Sequence, residues 1–436
     1  MPIRLTRRKF FQAAGALGAF GYWSGRLAAS EKRVSANDRL HVGVIGVRGQ
    51  GTHDMNGVAA GGAVIAALCD VDEEVLGKAH DLHPKAQVYA DFRRLLDQKG
   101  IDGVVVGTPD HWHAPITLRA LKAGLHVLCE KPLTHTIAEA RLVAETAVKH
   151  RRVTQMGTQI HAGNNYRRVV ELVRTNAIGA IKEVHVWVGT VWCGVNGKSQ
   201  DFPEAKPVPK GLHYDLWLGP ASAHAYNPGF HHYVWRGWWD FGGGALADMA
   251  CHFMDLPFWA LRLRHPDKVA AEGPPVHPAC AGRDLTVHYE FPARDALPPV
   301  KLTWYDGVKK PAILKERDLP DWSNGVLFVG DKGMLMADYG RHELLPEKDF
   351  AGFTPPKLFI PESEGHYKEW VEACKTGGRT SCSFDYSGAL TEAVLLGNVS
   401  YRLGKPVTWD AKALRAVNEP DAERFIHKEY RRPYVL

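Results

Sequence analysis

The sequence is poor in the features that mark several protein classes. It holds seven cysteines in 436 residues, an odd and scattered set with no CxxC pair. Such a set argues against a disulfide framework. Cys69 and Cys129 close apolar runs and read as buried strand residues. Cys374 and Cys382 are near enough in sequence to pair, but buried or free thiols fit them better. There is no internal repeat and no low-complexity segment, which sets solenoids and disordered tails aside. The formal charge of +6 is also less than it looks. Arg4, Arg7, Arg8, Lys9 and Arg26 fall in the first 30 residues, which contain no acid. Without those five, 49 basic residues face 48 acidic ones. A near-neutral body carries no electrostatic footprint for nucleic acid.

The N-terminus is organised. Thr6-Arg7-Arg8-Lys9-Phe10-Phe11-Gln12 precedes a modest apolar stretch from Ala13 to Trp23, and Ala28-Ala29-Ser30 supplies small residues for cleavage. Charge, apolar run and small-residue site in that order read as a twin-arginine export signal over residues 1–30. The expected location is therefore the periplasm or another extracytoplasmic space. The apolar run is too short for a stable membrane span in the mature chain.

Residues 31–38 are polar and read as a linker. Four short apolar runs follow, Leu40–Val47, Ala63–Cys69, Ile101–Gly107 and Leu125–Cys129. Helical patterns separate them: Asp72–Leu82, Asp91–Gln98, Ala114–Ala123 and Ile137–His150. Apolar strands alternating with helices predict a doubly wound parallel sheet, a Rossmann domain over 39–157. The remainder, 158–436, changes style. A helix at Asn164–Thr175 leads to an alternating strand, Ile181–Trp192, and a Gly/Pro-rich loop from Cys193 to Gly211. A long helix is expected from about Gly244 to Leu263. Strands then come in series at Leu285–Phe291, Val300–Tyr305, Gly325–Val329 and Gly333–Ala337, with helices at Glu364–Lys375 and Tyr386–Leu403. This predicts an α+β domain with a mostly antiparallel open sheet. An exposed apolar sheet face would favour a homo-oligomer, a dimer or tetramer.

The first strand runs into Gly46-Val47-Arg48-Gly49-Gln50-Gly51. A glycine turn before a helix lets backbone amides face a pyrophosphate. The usual G-x-G-x-x-G spacing requires glycine at 48, where this chain has arginine. Arg48 either points away or contacts the phosphates while Gly49 relaxes the loop. The next strand ends at Asp70, 19 residues after Gly51. An acid there bonds ribose hydroxyls and repels a 2′-phosphate, which favours NAD over NADP. Its competing role is to cap the following helix.

Two further strand ends carry Thr108-Pro109-Asp110-His111-Trp112-His113 and Glu130-Lys131-Pro132-Leu133. A later helical stretch, Gly242 to His252, places Asp248 and His252 four apart on one face. With TP-x-x-x-H and EKP in this order, residues 39–410 resemble the Gfo/Idh/MocA family of glucose-fructose oxidoreductase, inositol dehydrogenase and their relatives. The resemblance implies Lys131, Asp248 and His252 as catalytic residues. It places Gly46, Val47, Arg48, Gly49, Gly51, Asp70, Thr108, Pro109, His113, Glu130 and Lys131 around NAD. Alcohol oxidation needs a base for the hydroxyl proton. His252 is expected to titrate near neutrality for that task, with Lys131 stabilising the developing alkoxide. A bound oxidised nicotinamide should lower the lysine pKa. No metal is expected. His111 and His113 would face one way on a strand, and His161, His231 and His232 add to the count, but no third ligand has diagnostic spacing.

Aromatic residues crowd the segment Tyr214–Trp239: Tyr214, Trp217, Tyr226, Trp235, Trp238 and Trp239, with Arg236 among them. Flat aromatic faces bury the apolar faces of sugar rings. Trp235 and Arg236 are the first candidates for a sugar or polyol substrate, followed by Gln159, Tyr166 and Trp192, and the other aromatics are expected to pack. The expected activity is a dehydrogenase acting on CH–OH groups with tightly bound NAD. Two alternatives stand beside it. One is a redox-neutral NAD-dependent glycosidase, lyase or epimerase. The other is a non-catalytic sugar-binding protein of the same fold.

Overall fold

The apolar runs of the first third become six parallel strands: β1 (His41–Ile45), β2 (Val64–Cys69), β3 (Gln87–Tyr89), β4 (Gly103–Val106), β5 (His126–Cys129) and β6 (Thr154–Met156). They stand in the order β3-β2-β1-β4-β5-β6. The computed structural model describes residues 39–195, 197 and 201–434. The expected export signal and linker lie outside them. Helices α1 (Gln50–Ala60), α2 (Glu73–Leu82), α3 (Phe92–Leu96), α4 (Asp110–Lys122) and α5 (Ile137–His150) connect the strands. Three starts are fixed by side chains, that of α3 by Asp91, whose carboxylate accepts from the Arg93 amide. The Asp72 carboxylate accepts from the amides of Glu74 and Val75. Thr136 and Glu139 form a reciprocal capping box on α5.

Helix α4 begins four residues before the expected Ala114. His111 and His113 therefore lie on a helix and not on a strand, and the shared direction expected of them is lost.

After α6 (Asn164–Arg174), the strand β7 (Ile181–Val188) opens a nine-stranded sheet. The expected long helix is two: α7 (Gly244–Phe253) and α8 (Asp255–Leu261). Pro257 has no amide hydrogen to donate to the carbonyl four residues back, so the helix breaks there. The sheet is completed by β8 (Lys268–Glu272), β9 (Thr286–Phe291), β10 (Val300–Asp306), β11 (Gly325–Gly330), β12 (Met334–Ala337) and β13 (His342–Leu345). Helices α9 (His366–Thr376) and α10 (Phe384–Leu403) precede the last strands, β14 (Val407–Asp410) and β15 (Arg415–Ala416). The order is β13-β12-β11-β7-β10-β9-β8-β14-β15, and every pairing is antiparallel except β7 with β10. The sequence reading of an α/β fold with a second, mostly antiparallel sheet holds.

Both sheets belong to one compact unit. Helix α9 returns to α1, where a Cβ on Gly57 would lie 2.2 Å from the Tyr367 ring. Trp370, Val371 and Cys374 extend the core of the first sheet from that side.

The open face of the second sheet corrects an expectation. Val287, Tyr289, Phe291, Leu302 and Trp304 turn inward and are buried. The opposite side carries Lys268 beside Glu290, Glu290 beside Lys301, and Lys301 beside Glu183 in cross-strand register. His288, Thr303 and Tyr305 share that side. Over β11 and β12 the same side is covered by Leu314 and Trp322 from within the chain. The face is charge-alternating or self-covered, so the apolar surface expected to drive association is absent among the described residues. No described helix is long and apolar enough to cross a membrane.

Candidate active site

The carboxyl ends of β1, β2, β4 and β5 open on one cavity of about 440 Å³. Ligands of open α/β sheets bind at such ends. At the first turn, Gly46 has φ +80° and a Cβ there would come within 2.8 Å of the Gly107 carbonyl. A Cβ on Gly51 would lie 2.0 Å from the Gly46 oxygen. These two glycines thus allow the tight turn and the close packing of helix on strand. The residue between them is the departure. Arg48 is 43% exposed along its side chain and donates from Nη1 to Asp72 at 3.3 Å. Gly49 takes the positive φ, +56°, at the start of α1, and a Cβ there would meet nothing within 4 Å. The loop has kept its phosphate-facing opening with its free glycine moved by one residue.

Asp70 accepts from the amides of Val47 at 2.9 Å and Asp72 at 3.0 Å. Burial raises its pKa while those amides pull the other way. The cap of α2 is Asp72, so Asp70 is not needed for capping. Val47 is buried and does not line the cavity; its contribution is the amide that holds Asp70. Thr108 and Pro109 line the cavity, and the buried Thr108 hydroxyl has no partner among the described residues. His113 does not line the cavity. Its ring nitrogens sit 2.7 Å from the Pro132 carbonyl and 2.8 Å from that of Thr108. It sits between the turns after β4 and β5, where burial drives its pKa down to about 4 while the two carbonyls pull the other way.

Lys131 lines the cavity and forms a buried ion pair with Asp248, which lies behind the lining together with Trp192. The same carboxylate accepts from Trp192 Nε1 at 2.7 Å and from Arg236 Nε at 3.3 Å. Burial alone would make both ions costly. The attraction of Lys131, helped by Arg236, outweighs burial and holds Asp248 well below the usual carboxylate range. Burial also opposes the charge on Lys131, but Asp248 overrides it and the net direction is upward. The guanidinium of Arg236 lies 4.2 Å from the Trp235 ring centroid, with Trp192 and Tyr233 at 5.7 and 5.6 Å. Trp235, Arg236, Gln159 and His252 line the cavity. Tyr166 does not. It is fully buried behind α7 and donates to the His252 carbonyl at 3.2 Å.

His252 is close by, but not in the expected state. Burial first, then Lys131, push its pKa down to about 3. Both effects favour the neutral imidazole, and its buried Nδ1 has no partner among the described residues. A group with that pKa is a weak base. Asp110, which the sequence analysis quoted within a motif but gave no role, is one of two raised acids in the lining, with Glu130. Burial at the start of α4 raises Asp110 to about 8 against the pull of Arg236 and Lys131. Next to Lys131 in sequence, Glu130 forms a buried acid pair with Asp54. Glu130 accepts from Gln159 Nε2 at 2.7 Å and hydrogen-bonds Asp54, which is raised to about 6 by burial. His231, His232 and Trp217 also line the cavity, which corrects the expectation that Trp217 only packs.

His111 faces the Trp217 carbonyl at 2.9 Å and shares no ligand position with His113. One described group, His161, Asp255 and Cys382, is close enough to hold a metal ion. Its polar atoms are already engaged. His161 Nδ1 is 2.9 Å from Asp255, and the Tyr386 hydroxyl donates to Asp255 at 2.7 Å.

The comparisons with known proteins fit this geometry. Residues 40–158 match the oxidoreductase family with NAD-binding Rossmann fold, and 165–295 match the C-terminal α/β domain of the same family. The chain belongs to the Gfo/Idh/MocA family. It is thus of an oxidoreductase family with an NAD-binding Rossmann domain. A glycosyl hydrolase family 109 protein of Shewanella pealeana is 29% identical over 206 residues, 41% of this chain and 45% of that protein. The match therefore spans less than half of this curated relative. The aldose-aldose oxidoreductase of Caulobacter crescentus, solved with glycerol, shares the fold at 18% identity, with a TM-score of 0.57 over 85% of this chain and 100% of that one. Levoglucosan dehydrogenase, solved with NADH and levoglucosan, does so at 18% identity, with a TM-score of 0.59 over 85% and 99%.

The residues present fit NAD. The Gly46–Gly51 turn and the N-terminus of α1 would hold its pyrophosphate, and Asp70 its adenosine ribose. The unpartnered Thr108 hydroxyl lies on the way to Lys131.

Proposed function

We propose that this protein is an NAD-dependent oxidoreductase acting on a CH–OH group of a sugar, polyol or sugar derivative. The carrying observation is that Lys131, from the end of β5, and Asp248, from α7, meet at the rim of the dinucleotide groove beside Arg236 and Trp235. Bound NAD supplies the hydride acceptor. Lys131 holds a proton at Nζ and is placed to donate a hydrogen bond to the substrate oxygen, stabilising it as negative charge develops. Asp248 keeps that ammonium in place. Trp192 and Arg236 in turn fix both oxygens of Asp248. Trp235 offers a flat face for a sugar ring. His252, being neutral, acts as a hydrogen-bonding group toward the substrate. Asp110 is a carboxyl suited to exchange a proton near neutral pH.

The test begins with mass spectrometry of small molecules released from the purified protein. A panel of sugars and polyols follows, read as NADH absorbance. Failure of every member to reduce bound or added NAD would count against a dehydrogenase. The redox-neutral reading is favoured by the Shewanella relatives named as glycosyl hydrolases. It predicts products with no net NADH, and product analysis on the same panel separates the two. We further propose that the mature enzyme works outside the cytoplasm, on the strength of the twin-arginine pattern.

A further inference from the structure

Behind the substrate surface the chain brings two cysteines together. Cys193 directly follows Trp192, the residue whose indole holds Asp248. Cys280 lies in the segment between β8 and β9 and forms an antiparallel bridge with Trp238. The Gly237 carbonyl joins the two segments. It accepts from the Gly194 amide at 3.0 Å and from the Ala281 amide at 2.9 Å. Each donor is the residue after one of the cysteines. Gly237 leaves room for this crossing, because a Cβ there would come within 2.5 Å of the Gly194 oxygen and 3.1 Å of the Cys193 carbonyl carbon.

Both side chains are 1% exposed and belong to one apolar cluster with Trp235, Trp238 and Phe241. Their thiols hydrogen-bond each other. His277 completes the group. Its Nδ1 accepts from the Ala279 and Cys280 amides at 3.2 Å each, so it is the unprotonated nitrogen of the ring. The Cys280 sulfur lies 3.2 Å from that nitrogen and is placed to donate its thiol hydrogen to it. The flanking residues 272–276 and 278 are exposed, which gives a reagent a way in.

We propose that Cys193 and Cys280 are a redox pair that closes to a disulfide by exchange with a small-molecule or protein disulfide. The bond would fasten the Trp192 turn to the 277–282 segment. In the first step the Cys280 sulfur attacks one sulfur of the incoming disulfide and its proton passes to His277. The incoming S–S bond breaks, and the departing thiolate takes up that proton. In the second step the Cys193 sulfur attacks the Cys280 sulfur and gives up its proton, and the second thiol leaves. Two protein thiols lose two electrons and two protons, and the incoming disulfide becomes two thiols. Burial pushes the Cys280 thiol up to about 12, so the exchange is slow and the closed bond resists chance reduction. None of the other five cysteines has a cysteine partner among the described residues, and all are buried.

The test uses the full chain. One sample is held at mildly alkaline pH with graded glutathione disulfide. A second is unfolded and returned to buffer in the same mixtures, with native tryptophan fluorescence as the check on refolding. Both are denatured in iodoacetamide without reductant, digested and analysed by mass spectrometry. The expected result is one linked peptide pair joining Cys193 to Cys280, an intact mass about 2 Da lower, and reversal by dithiothreitol. The oxidised chain should melt several degrees above the reduced one, as closing a long loop predicts. Cys280→Ser should abolish the link and the melting response together. Alkylation of both cysteines at every glutathione ratio in both samples, or links only to other cysteines, would overturn the proposal. So would a glutathione adduct that never resolves.

Discussion

Lys131 and Asp248 stand 117 residues apart in sequence and close a buried ion pair at the cavity wall. One comes from the end of a parallel strand and the other from a helix packed on the second sheet. A buried pair is weak evidence of stability, because desolvation offsets most of the attraction. Its placement beside Arg236, Trp235 and the nucleotide groove gives it a better explanation as chemistry. Asp248 has two further donors, Trp192 and Arg236, so it does not depend on Lys131 alone.

Lys131→Met should therefore leave the fold intact and strike turnover. With the ammonium gone, Asp248 remains bonded to Trp192 and Arg236 and is not stranded. Turnover should fall by about a hundredfold or more, the usual effect of losing one donor to developing negative charge. Steady-state rates on a substrate found in the sugar panel give the measure, with thermal melting as the control. Near-normal turnover would remove Lys131 from the mechanism.

Asp70→Ser separates nucleotide recognition from local structure. The carboxylate holds the amides of Val47 and Asp72, so some loss of melting temperature is expected, on the order of 1 kcal/mol per bond lost. If the acid also meets the adenosine ribose, NAD binding should weaken more than NADP binding. Titration of both nucleotides against parent and variant decides it. An unchanged preference would leave Asp70 with a structural role alone.

Asp110 sets a pH dependence of defined sign. Its folded pKa is raised by burial to about 8 from an ordinary 3.8. The folded protein then holds a proton across that interval that the unfolded chain has released. The stability this group contributes is complete below 3.8 and is lost as pH rises toward 8. Asp54 and Asp306, raised to about 6 and 7, act in the same direction, so the informative quantity is a difference. Asp110→Asn, neutral and nearly isosteric, should lose less melting temperature than the parent between roughly pH 4 and 8. Parallel melting curves across that range would refute the assignment.

These residues also show where the sequence could be read and where it could not. Strands such as Gly103–Val106 are buried on both faces and announce themselves as apolar runs. The edge strands Gln87–Tyr89 and Thr154–Met156 have three residues each, too few to show a pattern. The strand-end motifs were legible because the cofactor's chemistry fixes which residue types stand there. Charge states were not. His252 loses its expected titration near neutrality because burial and Lys131 act together, and neither is visible along the chain. Tyr166, a substrate candidate in sequence, instead lies on the side of α6 that packs toward α7. Asp54 and Glu130 meet only because the α1 and β5 ends converge.

The last prediction concerns how NAD is kept. The segment after Gly211 is stitched onto the rim of the nucleotide groove just beyond Asp70. Leu212 bridges to Asp72, the His213 amide donates to the Val71 carbonyl at 2.8 Å, and the Glu73 amide donates to Gly211 at 3.0 Å. Further on, His231, His232 and Tyr233 line the cavity across from Arg48 and Gly49. A dinucleotide in this groove would be covered on the side away from the sheet, and its release would require that covering to move. Such gating slows dissociation more than association. The expectation matches the proposed export, because a freely exchanging nucleotide would be lost outside the cytoplasm. The purified protein should therefore keep close to one nicotinamide per chain through extended dialysis and need none added. Acid release followed by quantitation against protein concentration measures it. Protein that emerges empty, and binds added NAD weakly and reversibly, would defeat the idea of a retained cofactor. It would also remove the main reason to favour a second substrate, or return of the hydride within one turnover, as the means of resetting it.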